Sequence, residues 1–156
     1  MDIELVEVGT PVNQVDISKF AEVQNVKLPI AYERFLLRHN GGRPIQATFK
    51  IDKLQGNQEG KIHFFFGINF SIESYDLILM NKFFRPGMPD GIVVIACTAG
   101  IDYICLDLRG SAEKVVYWAH AHYWGTGEWR EQDFYDITPT FLDLIQMMNS
   151  GPDAPA

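Results

Sequence analysis

The run "IVVIACTAGIDYICLDL", Ile92 to Leu108, constrains the fold more than any other part of the chain. Two apolar stretches of strand length flank Thr98-Ala99-Gly100, so the spacing predicts two strands joined at that turn. The first has no polar residue in "IVVIA", which marks a central strand covered on both faces. A buried strand needs cover from other elements of the chain. At 156 residues the chain has room for one domain with one sizeable core.

The remaining segments supply that cover. "VNQVDISKFAEVQN" places Val15, Phe20 and Val23 near helical spacing and predicts a short first helix. In "KLPIAYERFLLRHNGGRP", Pro29 suits a first helical turn, and Leu28, Tyr32, Phe35, Leu36 and His39 form one stripe. Asn40-Gly41-Gly42 stands where a left-handed cap is expected, and Pro44 blocks continuation. A phosphate-gripping loop should precede its helix and present N–H groups to the anion; this pair of glycines follows one. The order therefore points to a structural stop. "IQATFKI" alternates, with Ile45, Ala47, Phe49 and Ile51 on one face, and predicts a strand. "DKLQGNQEGK" reads as a loop and "IHFFFGI" as the next strand. "SIESYDLILMNKFF" reads as a third helix capped at Ser74, and "KVVYWAHAHYW" as one long strand. "GTGEWREQDF" reads as a loop. Thr138-Pro139 should open a closing helix whose apolar side is Phe141, Leu142, Leu144, Ile145 and Met148. The expectation is a single α+β domain over residues 1–149 and a disordered tail over 150–156.

Charge narrows the partners. Residues 1–61 carry eight acidic and eight basic side chains; from Ile62 onward twelve acidic residues face five basic ones, which is the whole excess of seven. An acidic half repels phosphate backbones, so nucleic-acid binding is not expected, and the same field attracts a basic protein. No apolar run is long enough to span a bilayer. "MDIELVEVG" lacks the basic-then-apolar order of a secretory signal, so cytoplasmic residence is expected. Cys97 and Cys105, both in apolar runs, are expected to be reduced and buried.

Familiar catalytic signatures are missing: no GxSxG elbow, Walker loop, HExxH or strand-borne GxGxxG occurs. His39 lies on an apolar stripe, where a packed histidine is the simpler role. His120 and His122 form HxH on the predicted strand, which would put both rings on one face. A metal would need a further ligand, such as Glu128 or Asp133. The strongest surface feature is aromatic. Trp118, Tyr123, Trp124 and Trp129 cluster among Glu128, Glu131 and Asp133, a composition suited to a protein contact. Trp118 is expected in the core.

Taken together, "LPIAYERFLLRHNGG", "FFGI", "MPDGIVVIA", "DYICLDLRGSAEKVVYWAH" and "TPTFLDLIQMM" resemble the SUKH superfamily in order and spacing from about Val15 to Met148. That superfamily includes the fungal cell-wall synthesis regulator and many bacterial toxin-immunity proteins. The resemblance implies N-terminal helices, a central mixed or antiparallel sheet and a C-terminal helix packed on it. It implies no catalysis and no cofactor. It also implies a protein partner, typically a toxin domain such as a nuclease. A nuclease is cationic in order to hold its substrate, so an acidic cover suits it.

Leu28, Pro29, Tyr32, Phe35, Asn40, Gly41 and Gly42 are then expected to be structural. Asp76, Asp90, Asp102, Trp124, Glu128 and Trp129 are the expected partner contacts. Two other functions fit the same residues: an intracellular regulatory or scaffold domain of this fold, and a metal-dependent enzyme using His120 and His122.

Overall fold

The computed structural model describes residues 2–51 and 58–152. A short ribbon of β1 (Leu5–Val6) and β2 (Arg43–Pro44) accompanies a six-stranded sheet. The sheet consists of β3 (Thr48–Lys50), β4 (Glu59–Phe65), β5 (Ile92–Thr98), β6 (Tyr103–Asp107), β7 (Lys114–Trp118) and β8 (Phe134–Thr138). They pair in chain order, and each neighbouring pair is antiparallel. Five α-helices complete the fold: α1 (Gln14–Gln24), α2 (Ile30–His39), α3 (Leu77–Phe84), α4 (Ala121–Thr126) and α5 (Phe141–Asn149).

The register explains the apolar run in β5. Phe65, Ala96, Ile104 and Tyr117 lie in one row across the sheet, and Phe64, Cys97, Tyr103 and Trp118 in the next. Residues of one row share a face. On the first face α2 and α5 close over Phe65, with Phe35 4.9 Å and Phe141 6.3 Å from it, centroid to centroid. On the other face Phe84 of α3 and Tyr123 of α4 meet Trp118 edge-on at 5.0 and 5.3 Å. Both faces are therefore dry, and Ile92, Val93, Val94, Ile95 and Ala96 are all buried.

Asn40-Gly41-Gly42 is the joint between α2 and this sheet. Asn40 ends the helix with φ 37° and ψ 54° and is itself buried. Its side-chain amide donates to the carbonyls of Thr10 and Ile68, and its oxygen accepts from Ile68 N–H at 2.7 Å. Gly42 then exchanges backbone hydrogen bonds with Phe65 of β4, at 3.0 and 2.8 Å. Around this joint Leu28, Tyr32 and Phe35 are buried.

Several local expectations change. Val15 and Val23 point outward, whereas Phe20 is buried, with Ile17 and Gln24 beside it on the inner face of α1. Five residues turn a helix by about 500°, so Val15 and Phe20 cannot share a stripe. Pro29 precedes α2 as its N-cap residue rather than forming the first turn. The strand expected over "IQATFKI" is only Thr48–Lys50, and Ile45 is exposed. Asp76, not Ser74, caps α3, accepting from Leu79 N–H at 3.0 Å; Ser74 sits in a preceding 3₁₀ turn. Thr138 ends β8, a strand hidden in the segment read as a loop running to a helix start, and Thr140 caps α5. In α5 Phe141, Leu144, Ile145 and Met148 are buried, while Leu142 stays exposed. The loop expected over residues 52–61 ends early, because β4 begins at Glu59; its residues 52–57 and the end of the expected tail, 153–156, lie outside the described residues.

Candidate functional site

The segment between β7 and β8 departs most from the sequence expectation. The strand stops at Trp118, where Ala119 N–H donates to the Asp133 carbonyl at 2.9 Å and closes the base of the connection. His120 begins α4, and Gly127 ends it in the left-handed region at φ 71°. His120 and His122 are thus not on a strand with their rings side by side. His120 is buried with Nδ1 3.0 Å from Asp102 Oδ1, while the half-exposed His122 lies 3.5 Å from Glu128. Among the described residues no group of three or more His, Cys, Asp or Glu side chains is placed to hold a metal.

Carboxylates at the two ends of β6 fasten this segment. Asp102, immediately before the strand, accepts from the His120 backbone N–H at 3.1 Å, approaches its ring, and accepts from the Tyr117 hydroxyl. Burial works against its charge, but the hydrogen bonds from His120 and Tyr117 outweigh that and hold the carboxyl below its ordinary value. Asp107, the last residue of β6, takes two hydrogen bonds from the Arg109 side chain, at 3.0 and 2.8 Å, and one from its backbone N–H at 3.1 Å. Arg109 reaches Glu131 with its other donors, at 3.0 and 2.9 Å, and lies 5.5 Å over the Trp129 ring. For Asp107 burial is again outweighed, here by Arg109; for Glu131 the Arg109 hydrogen bonds come first and lower its carboxyl.

The fastened segment displays a corner of apolar rings. Trp124 is 69% exposed, and Phe83 of α3, 55% exposed, lies 6.4 Å from it. The back of Trp124 rests on the His120 ring at 5.7 Å. Leu79, one turn from Phe83 on α3, is also exposed. Glu128, just after α4, and Asp90, in the turn before β5, are outward carboxylates with side chains 70% and 89% exposed; Asp90 lies 3.7 Å from Arg85. The two turns are joined where Tyr123 donates its hydroxyl hydrogen to the Pro86 carbonyl at 3.2 Å. Exposed rings already held in place would bury area at little entropic cost when covered.

The profile of the SMI1/KNR4 family (SUKH-1) matches residues 11–147. The chain belongs to that family. No individually curated protein matches it.

Within this SUKH-1 domain the expected contact residues divide in two. Trp124, Glu128 and Asp90 are exposed, Glu128 beside His122 and Asp90 beside Arg85. Asp76 is not: it is buried, and its oxygens accept from Phe70 and Leu79 N–H groups, so it orders the start of α3. Asp102 sits beneath the corner and positions α4 through His120. Trp129 is partly buried against Phe134 at 5.3 Å and under Arg109, so it is a fastening ring rather than an exposed one. Asp133 is buried and held by Arg130 through two hydrogen bonds.

Phe83 escaped the sequence reading. Its signal is present in "LILMNKFF", where Leu77, Asn81 and Phe84 are the buried set and leave Leu79 and Phe83, four apart, facing outward.

Neither cysteine is poised as a thiolate nucleophile. Burial pushes the Cys97 thiol up to about 11 and the Cys105 thiol well above its ordinary value, so both stay protonated at neutral pH. No helix among the described residues is long and apolar enough to cross a membrane.

Proposed function

We propose that the chain is a non-catalytic immunity-type protein of the cytoplasm, which neutralises a cognate bacterial toxin by forming a stoichiometric complex with it. A cationic toxin domain of nuclease type fits the charge. The observation that carries this reading is the exposed pair Trp124 and Phe83, held on a segment tied to both ends of β6. Such a fixed pair, with the exposed carboxylate of Glu128 on the same connection, has the make-up of an interface centre, and little order remains to be imposed on binding. The acidic excess beyond Ile62 steers a basic partner toward the domain and speeds encounter.

The test is protection. The toxin is first recovered by affinity capture with the full chain, and cells expressing it are expected to survive with the native protein. They should lose protection with Trp124→Ala combined with Glu128→Lys, while both purified proteins melt alike. Equal protection by native protein and variant would place the interface elsewhere.

A further inference from the structure

We propose that the groove between α1 and α3 is a second docking surface, which receives an acidic amphipathic polypeptide segment. The groove includes neither Trp124 nor Phe83 in its lining and encloses about 760 Å³. Its floor is apolar, from Phe20, Ile68 and Ile78, with Val23 at its edge 78% exposed, an unusual exposure for a β-branched residue on a helix. Its rim is cationic. Lys19 stands on α1 and Lys82 on α3, and neither has an ion pair or hydrogen bond among the described residues. Arg85 also lines the groove, but it is paired with Asp90 at 3.7 Å, so the cationic rim rests on the two lysines. The single lining carboxylate, Asp16, accepts from Asn13 N–H in the cap of α1. A chain with a formal charge of −7 thus carries a groove of opposite sign.

The groove is also preformed. Buried Asn40 fixes Ile68 through both its N–H and its carbonyl, at 2.7 and 3.0 Å. Buried Asn81 fixes Val94 to α3 at 2.9 and 2.8 Å. Arg85 donates to Gln24 at 2.6 Å and ties the end of α3 to the end of α1. A fixed apolar channel between two helices, with free ammonium groups on opposite walls, matches helix-in-groove recognition. The eight residues of α3 give it a length of about 12 Å, enough for roughly two turns of a bound helix with apolar anchors inward and carboxylates toward Lys19 and Lys82.

The probe is a synthetic helix of about 14 residues with leucines at i, i+4 and i+7 and glutamates beside them, compared with its lysine-for-glutamate counterpart. Titrated into the isotope-labelled full chain, the glutamate peptide is expected to shift backbone amides of α1, Ile68, Asn69 and α3. It should bind roughly tenfold tighter than the lysine peptide. Lys19→Glu with Lys82→Glu should remove about that factor without moving the melting temperature. Trp124→Ala should leave peptide binding unchanged, so the two surfaces fail separately. Four results would overturn the proposal: no shifts at roughly millimolar peptide, equal affinity for the two peptides, shifts centred on Trp124, or decanoate producing the groove shifts where the peptide does not. Self-association of the free chain that protects the same amides would assign the groove to a second copy instead.

Discussion

Replacing Gly41 by alanine tests whether the glycine pair is a structural joint. Gly41 has φ +80°, and a Cβ built there would lie 2.6 Å from the Phe65 carbonyl oxygen, 2.7 Å from Gly67 N and 2.8 Å from the Phe66 carbonyl carbon. All three are backbone atoms, so no flexible side chain can yield. The left-handed conformation costs an L-residue about 1–2 kcal/mol, and forcing main chain apart in a packed region adds about 1–3 kcal/mol. A loss near 3 kcal/mol lowers the melting temperature of a domain this size by roughly 6–12 °C. Gly125→Ala is the matched control, since a Cβ there meets nothing within 4 Å and the residue lies in α4; it should be neutral or stabilising by up to about 1 kcal/mol. Thermal melting by circular dichroism reads both variants. A Gly41→Ala protein that melts within about 2 °C of the native one would refute the reasoning.

Three further outcomes are expected. Tyr32→Phe should stabilise by about 1 kcal/mol in urea unfolding, because the Tyr32 hydroxyl is buried with no hydrogen-bond partner among the described residues; a clear loss would mean that the hydroxyl is satisfied in solution. Asp102, Asp107 and Glu131 are held below their ordinary values of 3.8, 3.8 and 4.5 in the fold. Their stabilisation is therefore complete above those values and is lost as pH falls through the lower folded ones. Melting temperature should be flat from about pH 6 to 5 and fall below about pH 4, less steeply in Asp102→Asn with Asp107→Asn; an unchanged slope would contradict the assignment. His120→Ala should weaken partner binding as well as stability, because it withdraws the ring beneath Trp124 and the imidazole beside Asp102. A variant that melts lower yet binds at full strength would detach α4 from the interface.

The layers were legible where pattern and burial coincide. β5 could be recognised because both its faces are covered and every side chain had to be apolar. The Leu28, Tyr32, Phe35 and Leu36 stripe matched a helix with a clear stop. β8 was not legible: in "FYDIT" only Ile137 and Thr138 are buried, so a strand along one side of the sheet reads as polar loop. The break after Trp118 was equally hidden. "WAHAHYW" alternates as a strand should, and only the long-range tie from Asp102 to His120 shows why the chain turns into a helix. The same limit governs the site. Trp124, Glu128 and Asp90 could be named as outward candidates from their loops. Asp76 and Asp102, by contrast, could not be told from surface carboxylates, because their partners are backbone N–H groups and a ring brought in by the fold.

The central claim is that the Trp124 corner holds a cationic protein partner. The most direct test is affinity capture from the native cells with the full chain and with Trp124→Ala, each washed at low and high salt. The account predicts one basic polypeptide, retained at low salt, released at high salt, and reduced roughly thirtyfold or more on the variant. Several proteins held by both baits regardless of salt would contradict it and point to a scaffold using another surface.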